Sequence, residues 1–300
     1  MRHITLKIIT VLTTLSQSEN ALSLGSKKPA PEPSNPSPPS LPSHPPTPVT
    51  PPSNSFNAVN DIAAIAQNST CKNFAWANRG RAPAAYMSGM AITFAKSLCR
   101  LKQSESATNL MAVKNTQNSN KDALSWYESI FDAKQIEIDS SGAETLRSLY
   151  TLGIGLGMRE TSGRYCTGRD TTASNPTAVT AEAGLFQTSY NSMSASSELK
   201  KLYSEYNSGN FKCHLDVFSK NVSCAPQDTV GTGAGADFQR KLKSCPALAT
   251  EYAMITLRVL RKHYGPINRR EAELNSSCNE MLSDVQSYID RNAINACDQL

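Results

Sequence analysis

The chain has 300 residues, 18% of them charged, and a net charge of +5; no basic run with interleaved aromatics is present, which excludes a nucleic-acid partner. Twelve of the 17 prolines fall within residues 29–52, so the composition divides the chain, and beyond residue 55 there remain 26 basic and 23 acidic residues, a net charge of +3. Those roughly 245 residues can bury the core of one domain, and no apolar stretch reaches the ~20 residues that would cross a bilayer, so no transmembrane segment is expected.

In chain order, Arg2, His3 and Lys7 precede an apolar stretch over residues 8–15 and a small, polar stretch up to residue 23. This resembles a secretory signal peptide, residues 1–23, and predicts a secreted or periplasmic protein. Residues 24–55 form a proline-rich linker, too poor in large apolar side chains to fold; residues 29–52 would extend about 70 Å at ~3.1 Å per residue. The folded domain is expected over residues 56–300. Its first part is read as helical, from Val59, Ile62, Ile65 and Ala66 and then from Met87, Met90, Ile92, Phe94, Leu98 and Leu101. Residues 124–131 are a further helix, and Trp76 and Trp126 are read as core residues rather than sugar-stacking platforms.

The chain is organised around residues 141–190. Ser141 with Glu144 three residues on is a capping-box pattern, followed by Leu146, Leu149, Tyr150, Leu152, Ile154, Leu156 and Met158, which predicts a helix buried nearly all round. Gly153, Gly155 and Gly157 cost helix propensity, so another backbone is expected against this segment. Glu160 then sits at the exit of a core helix, where desolvation and the negative end of the dipole should raise its pKa and favour a proton, as a general acid requires. Residues 165–179 are rich in turn formers, which predicts a small β-hairpin region; it holds Asp170, with Glu182 as the rival second carboxylate.

Further on, residues 197–206 are read as a polar helix, residues 230–237 as a glycine-rich loop before a helix near Phe238, a helix opens at Pro246 and runs through Tyr264, and residues 271–298 are helical again. Eight cysteines with no C-x-x-C spacing argue against a metal or a dithiol centre and for four disulfides, paired by proximity as Cys71–Cys99, Cys213–Cys224, Cys278–Cys297 and Cys166–Cys245. His214 and His263 sit in no serine- or cysteine-hydrolase motif. No cofactor and no metal are expected.

A helix ending in Glu160-Thr161-Ser162-Gly163-Arg164-Tyr165, a turn-rich stretch and then Gly184-Leu185-Phe186-Gln187 resembles the lysozyme-like superfamily, especially lytic transglycosylases and goose-type lysozymes. Thr161 between the glutamate and Ser162, and the length of residues 166–180, depart from the usual pattern. The resemblance implies an α+β, predominantly α-helical, lysozyme-like domain with a small β-hairpin region after the catalytic helix. It also implies a monomer that cleaves β-1,4 bonds of peptidoglycan, with Glu160 as general acid and Asp170 as the candidate second catalytic residue. Ser162, Tyr165, Gln187 and Tyr190 would bind substrate. Lytic transglycosylation is favoured over hydrolysis; a chitin- or chitosan-cleaving enzyme, or a non-catalytic glycan-binding module, is the alternative.

Overall fold

The computed structural model describes residues 56–169, 176–224 and 228–300. The signal peptide, the linker and Asp170 lie outside them. The described chain is predominantly helical with two small antiparallel hairpins. Its centre is α5 (Ala143–Thr161), whose residues from Leu149 to Met158 are all buried. Around it pack α2 (Ala84–Lys102), α9 (Pro246–Val259) and α11 (Ser276–Cys297).

Of the three α5 glycines, only Gly155 has the backbone neighbour expected for all of them. A Cβ at Gly155 would strike the backbone of Glu273, whereas one at Gly153 would strike Met254 of α9 and one at Gly157 the Tyr86 hydroxyl of α2. Tyr86 uses that hydroxyl to donate to the Ile154 carbonyl at 2.8 Å, so α2 and α5 are joined by a polar contact inside an apolar seam. The capping box does not form. Gly142, at φ 123°, takes the N-cap position with no side-chain cap bond, and the Ser141 hydroxyl instead accepts from the Lys114 backbone N–H at 3.0 Å. Gly142 N–H donates to Ala112 O at 2.8 Å, so the turn is held to a neighbouring loop, and Glu144 is left exposed.

Before the core, α1 (Ala58–Asn68) packs on α2, and between them lies a hairpin that the helical reading of this region passed over. It pairs β1 (Ala75–Trp76) with β2 (Gly80–Arg81), Ala75 opposite Arg81 and Trp76 opposite Gly80. Trp76 is buried edge-on against Phe74, and Trp126, on α4 (Ala123–Ala133), donates its Nε1–H to Ile267 O while Arg261 and Arg270 cover its ring; both tryptophans are structural. After α3 (Ser106–Met111), Asp122 caps α4 at Leu124 N and pairs with Arg258 of α9 at 3.1 Å, both side chains buried. The second hairpin pairs β3 (Glu182–Ala183) with β4 (Thr188–Ser189), in the register Glu182 opposite Ser189 and Ala183 opposite Thr188.

The remaining elements are α6 (Ser197–Asn207), α7 (Leu215–Phe218), α8 (Ala234–Ser244) and α10 (Gly265–Asn268). The helix opened by Pro246 stops at Val259 rather than at Tyr264. Leu260 leaves helical geometry, and a short 3-10 turn over Arg261–His263 follows. In that turn the Arg261 guanidinium binds the Ser119 carbonyl and Asn268 Oδ1 and lies over Trp126. The last helix starts at Ser276, where Asn275 caps it through Ser277 N, five residues later than expected.

One buried charge cluster ties three helices together. Glu251 of α9 accepts from Arg100 Nη1 (2.8 Å) and Ser97 Oγ (2.9 Å) on α2 and from Tyr206 Oη (2.6 Å) on α6, with Lys96 Nζ 3.8 Å away. Those charges and hydrogen bonds hold its carboxyl below the usual range against its complete burial.

All eight cysteines are paired, but not by proximity. The bridges are Cys71–Cys278, Cys99–Cys297, Cys166–Cys224 and Cys213–Cys245, and no described cysteine is free. Proximity fails because α11 returns to lie beside α1 and α2, so its cysteines meet partners about 200 residues earlier in the chain. Non-reducing peptide mapping should recover these four linked pairs. A Cys278–Cys297 peptide would contradict this arrangement.

Candidate active-site cleft

The end of α5 is closed by backbone geometry that the sequence after Glu160 dictates. Ser162 (φ 54°) and Gly163 (φ 73°) take the left-handed conformation and return their N–H groups to Met158 O (2.9 Å) and Gly157 O (3.2 Å). Gly163 is required here, since a Cβ would meet the Tyr86 ring and Pro83. The chain therefore turns sharply after Glu160. Thr161 Oγ1 donates to Leu185 O at 2.9 Å, with Gly157 O sharing that hydrogen at 3.1 Å, which fastens the helix end to the second hairpin.

Gly184-Leu185-Phe186-Gln187 is the four-residue loop of that hairpin. Leu185 and Phe186 are buried in the core, Gly184 has φ 76° and donates to Thr167 O at 2.9 Å, and Gln187 has φ 48°. Gln187 donates its side-chain amide to Gly168 O and to Gly184 O, both at 3.0 Å. It thus braces the segment after α5 against the hairpin. Cys166–Cys224 ties the same segment down from the other side.

These elements surround a cleft of about 600 Å³. Glu160 comes from the end of α5, Glu182 from β3 and Gln187 from the hairpin loop; both glutamates are half-buried. Thr167 and Arg169 come from the segment after α5, and His263, Gly265, Pro266 and Arg269 from the turn and helix after α9. Arg79, on the β1–β2 turn, and Arg159, beside Glu160, complete the rim.

The electrostatics are mixed. Glu271 accepts from Arg269 (2.9 and 3.0 Å) and from Arg159 (3.1 Å), and these bonds, Arg269's foremost, hold its carboxyl below the usual range. Arg169 Nε pairs with Asp228 at 2.6 Å. Burial pushes the His263 imidazole down to about 4 against a backbone hydrogen bond with Gln187, so it faces the cleft as a neutral ring at neutral pH. Burial raises the Tyr264 hydroxyl.

Of the residues singled out in the sequence, Glu160 and Gln187 line this cleft, together with the rival carboxylate Glu182. Ser162 serves the helix end, Tyr165 packs half-buried against the core, and Tyr190 begins a 3-10 turn and lies edge-on to Phe238; these three do not line it. Arg79, His263 and Arg269 do, and sequence reasoning missed them. Asn78-Arg79-Gly80 carries a turn signal, with both neighbours at positive φ, but nothing in it says that the turn faces a cleft formed 80 residues later. Among the described residues no cluster of histidine, cysteine and carboxylate side chains could hold a metal ion, and no helix is long and apolar enough to cross a membrane. Compared with protein-family models, curated proteins and solved structures, the chain finds no match, so the chemistry is argued from the cleft itself.

Proposed function

We propose that the chain is an exported glycosidase with a lysozyme-like domain that cleaves β-1,4 bonds of peptidoglycan as a lytic transglycosylase. One observation carries the reading: Glu160, at the end of a buried helix, shares an open cleft with Gln187 of the Gly-Leu-Phe-Gln loop. A carboxyl group fixed by a rigid core element at the wall of a groove suits proton donation to a polymer threaded past it. Four disulfides fit an exported protein.

In this mechanism Glu160 gives its proton to the glycosidic oxygen as the bond from the anomeric carbon breaks and that carbon becomes oxocarbenium-like. The Glu160 carboxylate then takes the proton of the muramoyl 6-hydroxyl as its oxygen attacks the anomeric carbon, which closes an anhydro ring. No water enters the products.

Glu182 favours a second reading, since a hydrolase needs a carboxylate to orient water and this one lines the same cleft. The two readings part on a variant. For the transglycosylase, Glu182→Gln should change the rate of wall clearing by only a few-fold, and Asp170→Asn likewise. For the hydrolase, the variant lacking the working base should lose about 10²-fold or more. Activity on chitin oligomers with none on peptidoglycan would move the substrate to a neutral aminosugar polymer.

A further inference from the structure

Four arginines rim the cleft, and three of them are already engaged by carboxylates of the chain: Arg159 and Arg269 by Glu271, and Arg169 by Asp228. Arg79 is different. It is exposed and takes part in none of the ion pairs seen among the described residues. An exposed arginine is ordinarily a solvated group worth little. What distinguishes Arg79 is the turn that carries it. Its own N–H donates to Trp76 O at 3.0 Å, Ala77 N–H donates to Glu273 Oε2 at 2.7 Å, and Asn78 and Gly80 hold left-handed conformations at φ 59° and 71°. Behind the turn, Trp76 is buried against Phe74. The backbone is thus buttressed while the guanidinium stands at the cleft wall.

A guanidinium presents a planar fork of donors that matches a carboxylate. We infer that Arg79 is a specificity-determining residue that binds a carboxylate carried by the glycan strand, so that the cleft selects anionic over neutral aminosugar polymers. This deepens the glycosidase reading and rests on it for the nature of the polymer. The carboxylate is one belonging to the attached peptide or, on sugars stripped of peptide, that of the lactyl ether, which is otherwise held as the amide joining peptide to sugar.

The test compares soluble peptidoglycan oligomers with free carboxyl groups and the same oligomers with the carboxyl groups amidated, using the full chain. For the unmodified protein the KM of the amidated form should exceed that of the free acid about five- to tenfold. Arg79→Ala should bring that ratio close to one, Arg79→Lys should retain part of it, and Arg79→Glu should invert it. Oligomers stripped of peptide expose the lactyl carboxylate in place of the peptide's: a retained preference over their amidated form shows that the guanidinium also takes the lactyl group, and a lost one assigns the contact to the peptide. A ratio of one in the unmodified protein, or a ratio that none of the three variants moves, would overturn the inference. The same ratios measured as Kd by calorimetry in a Glu160→Gln background separate this result from the fate of the catalytic reading, because binding is then scored without turnover.

Discussion

Glu160→Gln should lower the rate of wall clearing by about 10²–10⁴-fold, the range expected when a positioned general acid is removed. Glutamine keeps the shape of the side chain and can still accept a hydrogen bond, but it has no proton to give to the glycosidic oxygen. The variant should fold as the parent does and retain its affinity for the wall, because the side chain is only half-buried and lies outside the apolar body of α5. Clearing at the parental rate would remove Glu160 from the mechanism. Loss of clearing together with a collapsed melting point would give the residue a structural role instead. A non-catalytic glycan-binding module would show no clearing in either protein while both bound the wall.

The largest expected effect on stability lies away from the cleft. Glu251→Ala removes the acceptor shared by Arg100, Ser97 and Tyr206 and the counter-charge near Lys96, all of them buried. Arg100 keeps Glu105 and Glu205, but Lys96 loses its buried counter-charge and Ser97 and Tyr206 their acceptor, and taking one partner from a buried ionic cluster costs about 3–5 kcal/mol. At roughly 2–4 °C per kcal/mol for a domain of this size, the melting point should fall by about 6–20 °C. Lys96 shows the asymmetry: burial has already brought its ammonium down to about 8 while Glu251 opposes that shift, so without the carboxylate the lysine loses its strongest stabilising neighbour. Glu251→Gln, which keeps the volume and one acceptor, should cost less. An unchanged melting point for the alanine variant would mean that these charges are solvated in solution.

What the sequence disclosed and what it concealed follow a physical division. The apolar run from Leu146 to Met158 disclosed α5, because a pattern with no polar face has one stable outcome, a buried helix. The three glycines disclosed close approach but not its partner: one faces a backbone, one a methionine and one a tyrosine hydroxyl. Ser141 and Glu144 fit a capping box, yet tertiary contact drew Ser141 to Lys114, a competition that local spacing does not register. Glu160, Glu182 and Gln187 were legible since they lie close together in sequence around one helix end and one hairpin. Arg79 and Arg269 were not, because they reach the cleft from elements far apart in the chain. Four disulfides were legible but their pairing was not: two bridges follow the return of α11, and Cys166–Cys224 and Cys213–Cys245 likewise join segments that distance along the chain does not pair.

The measurement that bears most directly on the central proposal is mass spectrometry of soluble fragments released from purified peptidoglycan by the full chain and by Glu160→Gln. The account predicts muramoyl ends in the anhydro form, lighter by one water than hydrolysed ends, from the unmodified protein and essentially none from the variant. Exclusively reducing muramoyl ends would contradict the transglycosylase branch, and equal fragment release by both proteins would contradict the role assigned to Glu160.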